Sequence, residues 1–302
     1  AAAKAGADAV KFQTFITNDF VNSDHPSFER LKKFELTKKQ FSKLKKLANT
    51  QNLNFISTPL DFSSAHFLKK NCKIIKIASG DNNFYDLINI FLDHNKQLII
   101  STGMMNALNI KNLIEFILKK KGKKFLENNL SLLHCVSSYP AEQKSLNLMS
   151  IKYLVDKYKK INIGYSDHSI GYDACVTAVA LGARIVEKHF TLSNNFSNFR
   201  DHKLSLNPID MKIMVKKIRT VEMQLGKYEK VVQKNEKKVI SLSRRSMIVK
   251  KSVDKNETLT SLNTSFLRPE IRGSEIINEI LNKKKIRKSL KPGELIKNKL
   301  LF

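Results

Sequence analysis

Cysteine is scarce in this chain of 302 residues: Cys72, Cys135 and Cys175 each sit in an apolar run, and no two form a Cys-x-x-Cys pair. That spacing argues against a disulfide framework or a zinc ribbon, and a reducing, cytoplasmic setting is the expectation. No apolar run reaches the length needed to span a bilayer, and the opening residues have no signal-peptide pattern, so neither insertion nor export is expected. No helical repeat or low-complexity block stands out. Acidic residues are few as well, 27 against 54 Lys and Arg, which leaves a net charge of +27. Such an excess raises nucleic acid or an anionic membrane as a partner. The lysines, however, are scattered along helical faces among Asn and Ile, with no aromatic-basic platform and no reading helix. The expectation is therefore no nucleic acid and no membrane, with the basic field serving to concentrate anionic substrates.

What is present is a globular composition, 42% hydrophobic, long enough for a full barrel core and a small second domain. Ala1–Asp8 reads as the end of a helix. Apolar strand candidates follow at 9–14, 54–57, 74–78, 97–101, 130–135, 162–165 and 184–187, with helical segments between them. An α/β barrel needs eight parallel strands. The expected fold is therefore α/β, a (β/α)8 TIM barrel over residues 1–226 that lacks its first strand. A polar βα loop runs from Leu192 through Ser205, and an Asn207 cap, Pro208 and Gly226 bracket the last barrel helix. Residues 227–243 form a lysine-rich linker with a possible helical start. From 244 to 302 short strands broken by Asp-Lys-Asn-Glu and Lys-Pro-Gly-Glu turns predict a small β-rich domain. Residues 227–302 hold 20 basic and 8 acidic side chains, so +12 of the charge lies there.

The densest chemistry lies between Gly164 and Phe190. His168 and His189 each follow a strand, separated by an alanine-rich helical run that Gly182 closes. Two imidazoles at the C-terminal ends of neighbouring parallel strands would face one barrel mouth, where a shared metal ion or two unrelated histidines are both open. Other strand ends carry small hydroxyl, amide or cationic groups: Lys11 and Gln13, Thr58, Lys76 and Ser79, Ser101, Ser137 and Ser166. Lysine supplies charge, the hydroxyls donate hydrogen bonds, and Gly80 and Gly103 let backbone N–H groups approach closely, a set suited to phosphate.

The segments Gly-Ala-Asp-Ala-Val-Lys-Phe-Gln-Thr (6–14), Lys-Ile-Ala-Ser-Gly (76–80), Ser-Thr-Gly-Met (101–104) and Leu-His-Cys-Val-Ser-Ser-Tyr-Pro (133–140) occur here together. Gly-Tyr-Ser-Asp-His (164–168), Glu-Lys-His-Phe-Thr (187–191) and Asp-His-Lys-Leu-Ser (201–205) complete the series. In that order they resemble the bacterial sialic acid synthase family. Arg-Arg-Ser (244–246) and Leu-Arg-Pro (267–269) resemble its C-terminal antifreeze-like, or SAF, domain. The resemblance implies condensation of phosphoenolpyruvate with N-acetylmannosamine or a related N-acylated amino sugar, releasing phosphate and forming a nine-carbon 2-keto acid. It implies a divalent metal, Mn2+ or Mg2+, held by His168 and His189. Phosphoenolpyruvate would contact Lys11, Thr58, Lys76, Ser79, Ser101, Ser137 and Ser166. The sugar would meet Gln13, Tyr139, Glu187, Asp201 and Arg268, with Glu187 and Asp201 as catalytic groups. Arg268 would cross to the partner in a domain-swapped homodimer.

Two departures from the family pattern stand out. The strand carrying Glu-Ile-Gly-x-Asn-His is absent, and Phe-Arg-Asp-His (199–202) replaces a Gly-Pro-Asp-His. His134 is open to a site role or a packing role. Three alternatives stand beside the sialic acid product: a legionaminic or other nonulosonic acid synthase with a different acceptor, a pyruvate-dependent metal aldolase, and a basic non-catalytic module for polysaccharide or nucleic acid.

Overall fold

The structure, a computed structural model, describes residues 1–94, 96–274 and 284–302. They form two units, 1–226 and 227–302.

In the first unit seven strands pair in parallel in chain order: β1 (Ala9–Thr14), β2 (Asn54–Pro59), β3 (Ile74–Ile77), β4 (Gln97–Ser101), β5 (Leu130–Cys135), β6 (Asn162–Asp167) and β7 (Ile185–Lys188). The helices between them are α1 (Thr17–Phe20), α2 (Phe28–Phe34), α3 (Lys38–Thr50), α4 (Phe62–Asn71), α5 (Tyr85–Leu92), α6 (Ala107–Asn129), α7 (Met149–Lys157) and α8 (Asp173–Ala180). Two more helices, α9 (Arg200–Leu204) and α10 (Pro208–Leu225), follow β7. Caps start several of them: Thr37 with Gln40 closes a capping box on α3, Asp61 accepts from Ser64 N on α4, and Asn207 accepts from the Ile209 and Asp210 amides on α10. Gly122, at φ +76°, breaks α6.

Side chains alternate across the strands. Ile75, Ile77, Leu98, Ile100, Leu130, Leu132, Ile163 and Tyr165 are buried against the helices and form the outer core. By the same period Lys11, Thr58, Lys76, Ser101, Cys135, Ser166 and Glu187 share the inner face. Flat, seven strands would set β1 and β7 about 29 Å apart. A 2.9 Å contact between Lys11 Nζ on β1 and Glu187 Oε1 on β7 therefore requires the sheet to curl on itself. Beyond the strands, α10 packs on α8 and returns to the segment before β1, where Arg219 donates to both Asp8 oxygens at 2.9 and 2.7 Å. The result is a curled, TIM-barrel-like half-barrel.

The strands extend past the expected runs at three ends, taking in Thr58–Pro59, Ser166–Asp167 and Lys188, because the hydrogen-bonded ladder continues beyond the hydrophobic residues. Within the expected 192–205 loop, residues 200–204 instead form α9. No helix among the described residues is long and apolar enough to cross a membrane.

In the second unit β8 (Ser246–Val249) pairs antiparallel with β9 (Thr264–Leu267), and isolated bridges join 248 to 295, 253 to 290, 258 to 285 and 286 to 301. Met247, Val249, Val253, Leu259, Ile286, Leu290 and Ile296 make its core. Residues 227–243 carry two short helical turns, α11 (Lys234–Lys237) and α12 (Ile240–Ser243), where a linker was expected. Part of the anticipated β-rich region, 275–283, lies outside the described residues.

Candidate active site at the mouth of the curled sheet

The C-terminal ends of the strands gather most of the polar residues singled out in the sequence. On the inner face Lys76 Nζ donates to Ser101 Oγ at 2.6 Å and stands 3.8 Å from Glu187 Oε1. The same carboxylate oxygen accepts from Lys11 Nζ and from Ser166 Oγ, each at 2.9 Å. Two ammonium groups thus share one carboxylate, which leaves a surplus positive charge in the mouth. Burial alone would raise the Glu187 pKa, but Lys11 and Lys76 outweigh it and hold the carboxyl well below the usual range. Burial pushes Lys76 down to about 8 in spite of Glu187.

Beside these charges three hydroxyls, Thr58 Oγ1, Ser79 Oγ and Ser137 Oγ, are buried without a hydrogen-bond partner. Buried polar atoms are normally satisfied, so three orphan hydroxyls at the strand ends that also carry two ammonium groups describe a cradle for an acceptor-rich ligand. Gly103 keeps that cradle open. A Cβ on it would fall 2.3 Å from Ser137 Oγ and 2.6 Å from Ser79 Oγ. Asn82 fixes the backbone there, donating to Ser101 O at 3.1 Å and Gly103 O at 2.8 Å.

The histidines stand on the adjacent strand ends. His168 follows β6, His189 follows β7, and their ring centroids are 5.4 Å apart. His168 Nδ1 donates to Val136 O at 2.9 Å, so in the neutral ring Nε2 is the nitrogen that carries the lone pair; burial lowers the His168 pKa, but Cys135 and the Val136 carbonyl outweigh it and raise it. Burial, reinforced by the neighbouring His168, pushes His189 down to about 4, so its imidazole is neutral at pH 7 and able to ligate a cation. Cys135 Sγ lies 3.8 Å from His168 Nδ1. Tyr139 lies against His168 at 4.1 Å with its ring tilted by 32°, and meets His189 edge-on at 6.0 Å. Arg200 in turn covers the Tyr139 ring at 4.8 Å and approaches Asp201 at 3.4 Å.

The two histidines fit a divalent cation that keeps water or substrate oxygens in its remaining positions. Among the described residues no group of three or more His, Cys, Asp or Glu stands ready to enclose one.

Lys11, Thr58, Lys76, Ser79, Ser101, Ser137, Ser166 and Glu187 are thus drawn to the mouth by contacts or by their inner-face positions, next to the set of His168, His189, Tyr139 and Asp201. Gln13 is exposed on β1, and Arg268 is exposed after β9 in the second unit. His134 faces outward, its Nε2 2.8 Å from Leu146 O and its ring stacked on Tyr165, a packing role. Two residues at the mouth escaped the sequence as site residues: Cys135, taken only as an apolar-run cysteine, and Asn82. Cys135 carried a signal, since it lies in the same segment as Ser137.

Comparison with known proteins places this geometry in a lineage. Residues 1–230 match the NeuB family. The chain is 42% identical to an uncharacterized protein of Methanocaldococcus jannaschii over 94% of this chain and 82% of that one. It is 34% identical to the N,N'-diacetyllegionaminic acid synthase of Campylobacter jejuni over 98% of this chain and 92% of the relative. The crystal structure of an N-acetylneuraminic acid synthetase from Leptospira borgpetersenii, in complex with citrate, superposes with a TM-score of 0.73 at 33% identity, covering 79% of this chain and 81% of that one. With the match spanning the whole first unit and its mouth, the chain belongs to the NeuB family.

Proposed function

We propose that the chain is a nonulosonic acid synthase, condensing phosphoenolpyruvate with an N-acylated amino sugar of the N-acetylmannosamine type and releasing inorganic phosphate. One observation carries this: three buried, unpartnered hydroxyls stand at the same strand-end mouth as a two-lysine, one-carboxylate cluster and a histidine pair. That combination suits an enol phosphate next to a carbonyl. Family membership and the synthases among the relatives support the same chemistry.

Lys76, Lys11, Ser101, Ser166, Ser79, Ser137 and Thr58 would hold the phosphate and carboxylate of phosphoenolpyruvate. Its C3 forms the new bond to the sugar aldehyde carbon, water adds at C2, and the C2–O bond to phosphate breaks. The product is a 2-keto acid longer by three carbons. A divalent ion held by His168 and His189 would polarise the aldehyde oxygen. Glu187, kept ionised by two donors at 2.9 Å and by the Lys76 charge at 3.8 Å, suits anchoring the lysines better than moving a proton. Asp201, whose buried Oδ1 has no hydrogen bond and only the Arg200 Nε ion pair at 3.4 Å, would be the better proton-handling group. Tyr139, Gln13 and Arg268 would contact the sugar. The second unit as an antifreeze-like domain, the swapped homodimer and the cytoplasmic setting belong to the same proposal and rest on the sequence alone.

A second acceptor is favoured by one observation, the 34% identity to a diacetyllegionaminic acid synthase. A diacetamido sugar should therefore be tried beside N-acetylmannosamine. The test is phosphate release from phosphoenolpyruvate, with Mn2+, as each sugar is added. Release with neither sugar, or condensation supported by pyruvate, would remove the assignment.

A further inference from the structure

Directly before the two histidines, on the opposite face of the sheet, Asp167 and Lys188 form a buried ion pair. They are register partners at the ends of β6 and β7. Their charged atoms meet at 2.7 Å, and the side chains are 0% and 1% exposed. Every acceptor site of the carboxylate is used. Oδ1 accepts from Tyr165 Oη and from the Ser169 amide, both at 2.9 Å, and Oδ2 accepts from Lys188 Nζ and, at 3.4 Å, from Cys175 Sγ. Lys188 Nζ also donates to the Ser169 carbonyl.

The consequence for the backbone is specific. Ser169 is held at its N–H by Asp167 and at its carbonyl by Lys188, so the residue between them, His168, sits on a turn clamped from both sides. Lys188 reaches that turn from the strand that delivers His189. The clamp ties together the two backbones that carry the imidazoles. Further bonds limit their remaining freedom, from Ala141 N to His168 O at 3.0 Å and from Leu206 N to His189 O at 2.9 Å.

An ion pair this deeply buried gives a fold little that apolar residues of the same size could not give. Two imidazoles that share one small cation, however, tolerate little error, because each metal–nitrogen bond is only about 2.0–2.2 Å long. We infer that Asp167 and Lys188 are positioning residues that set the spacing of His168 and His189 for a divalent cation. This rests on the metal site proposed above, but it assigns work to residues on the far side of the sheet that touch neither metal nor substrate.

Manganese titration of the full chain, followed by loss of the free Mn2+ resonance in electron paramagnetic resonance, separates the possibilities. The double variant Asp167→Asn/Lys188→Met removes both charges at similar volume. It should bind Mn2+ about ten- to a hundredfold more weakly, the cost typical of groups that orient metal ligands. Its affinity for phosphoenolpyruvate, measured without metal, should stay within about twofold of the parent. Tyr165→Phe keeps both charges, removes one bond to the carboxylate, and should give a smaller loss in the same direction; it keeps the test open if the double variant does not fold. Parent-like Mn2+ affinity in the folded double variant, or in Tyr165→Phe where only that variant folds, would overturn the inference. So would parallel loss of phosphoenolpyruvate binding, which would mark a general structural role. His189→Ala is the separate control: if Mn2+ binding survives it unchanged, the metal site itself is wrong and the inference falls with it.

Discussion

Lys11 Nζ and Glu187 Oε1 meet at 2.9 Å, and the contact joins the first and last strands of a sheet whose two edges do not pair among the described residues. The bond reports the curl of the sheet. It also puts a cation and an anion at the point where the mouth would otherwise be open. The carboxylate serves Lys76 too, so removing it should be felt at a distance. Glu187→Gln takes away the charge that keeps Lys76 protonated, and the pH midpoint of phosphoenolpyruvate binding should move below its parent value. Calorimetric titrations from pH 6 to 10 check this; an unchanged midpoint would show that the two groups are not coupled.

In the parent protein the same midpoint should fall near the Lys76 value of about 8. The sign follows from the lowered pKa. Below about 8 the ammonium is present and available to an anion, and the affinity should weaken roughly tenfold per pH unit above it. Stability should move the other way. Between about 8 and the unfolded value near 10.4 the unfolded chain binds the extra proton, so this group makes the fold more stable as pH rises through that window. Lys76→Met should abolish the step in binding.

Gly103 and Gly164 should behave differently when given a methyl group. At Gly103 the Cβ meets two serine hydroxyls, so Gly103→Ala should fold normally and lose at least tenfold in phosphoenolpyruvate affinity, about 1.4 kcal/mol. At Gly164 the Cβ would lie 2.4 Å from the Ile185 carbonyl oxygen, a backbone atom of the neighbouring strand. Gly164→Ala should therefore destabilise the first unit by about 1–3 kcal/mol. Thermal unfolding and ligand titration on both variants distinguish a filled cradle from a strained sheet.

Much of the first unit was legible in the sequence, because its strands are short apolar runs buried on the helix side. Leu130–Cys135 and Ile74–Ile77 needed only burial and period to be recognised. The mouth was partly legible, since hydroxyls and lysines at strand ends stand out against an apolar background. Asp167 and Lys188 lay within the quoted segments 164–168 and 187–191, but the histidines beside them drew the reading and nothing in one dimension showed that the two charges pair. Only the register of β6 with β7 sets them opposite each other. Helix α9 was missed for a related reason: Phe-Arg-Asp-His-Lys-Leu has too little apolar repeat to announce a turn of helix, and its place is held by tertiary bonds such as Asn194 to His202 O and Ser205 O.

Breaking the buried pair on one side only should cost far more than removing it whole. Lys188→Met leaves the Asp167 charge in a site with no cation, at an expected cost of about 3–5 kcal/mol, whereas Asp167→Asn/Lys188→Met should lie much closer to the parent. Chemical denaturation of both variants measures the difference. Equal losses would mean that packing, not charge, dominates there.

His168→Ala and His189→Ala should each abolish manganese-dependent turnover while leaving circular dichroism and the thermal midpoint of the first unit nearly unchanged. Full activity in both would end the role of the histidines as ligands.

The most direct test of the synthase assignment is the rate of phosphate release from phosphoenolpyruvate with Mn2+, recorded before and after addition of N-acetylmannosamine or a diacetamido sugar. The account predicts release that depends on the sugar, with a nine-carbon 2-keto acid formed in equal amount. Absence of sugar-dependent release with every N-acylated acceptor tried, in protein that binds phosphoenolpyruvate and Mn2+, would contradict it.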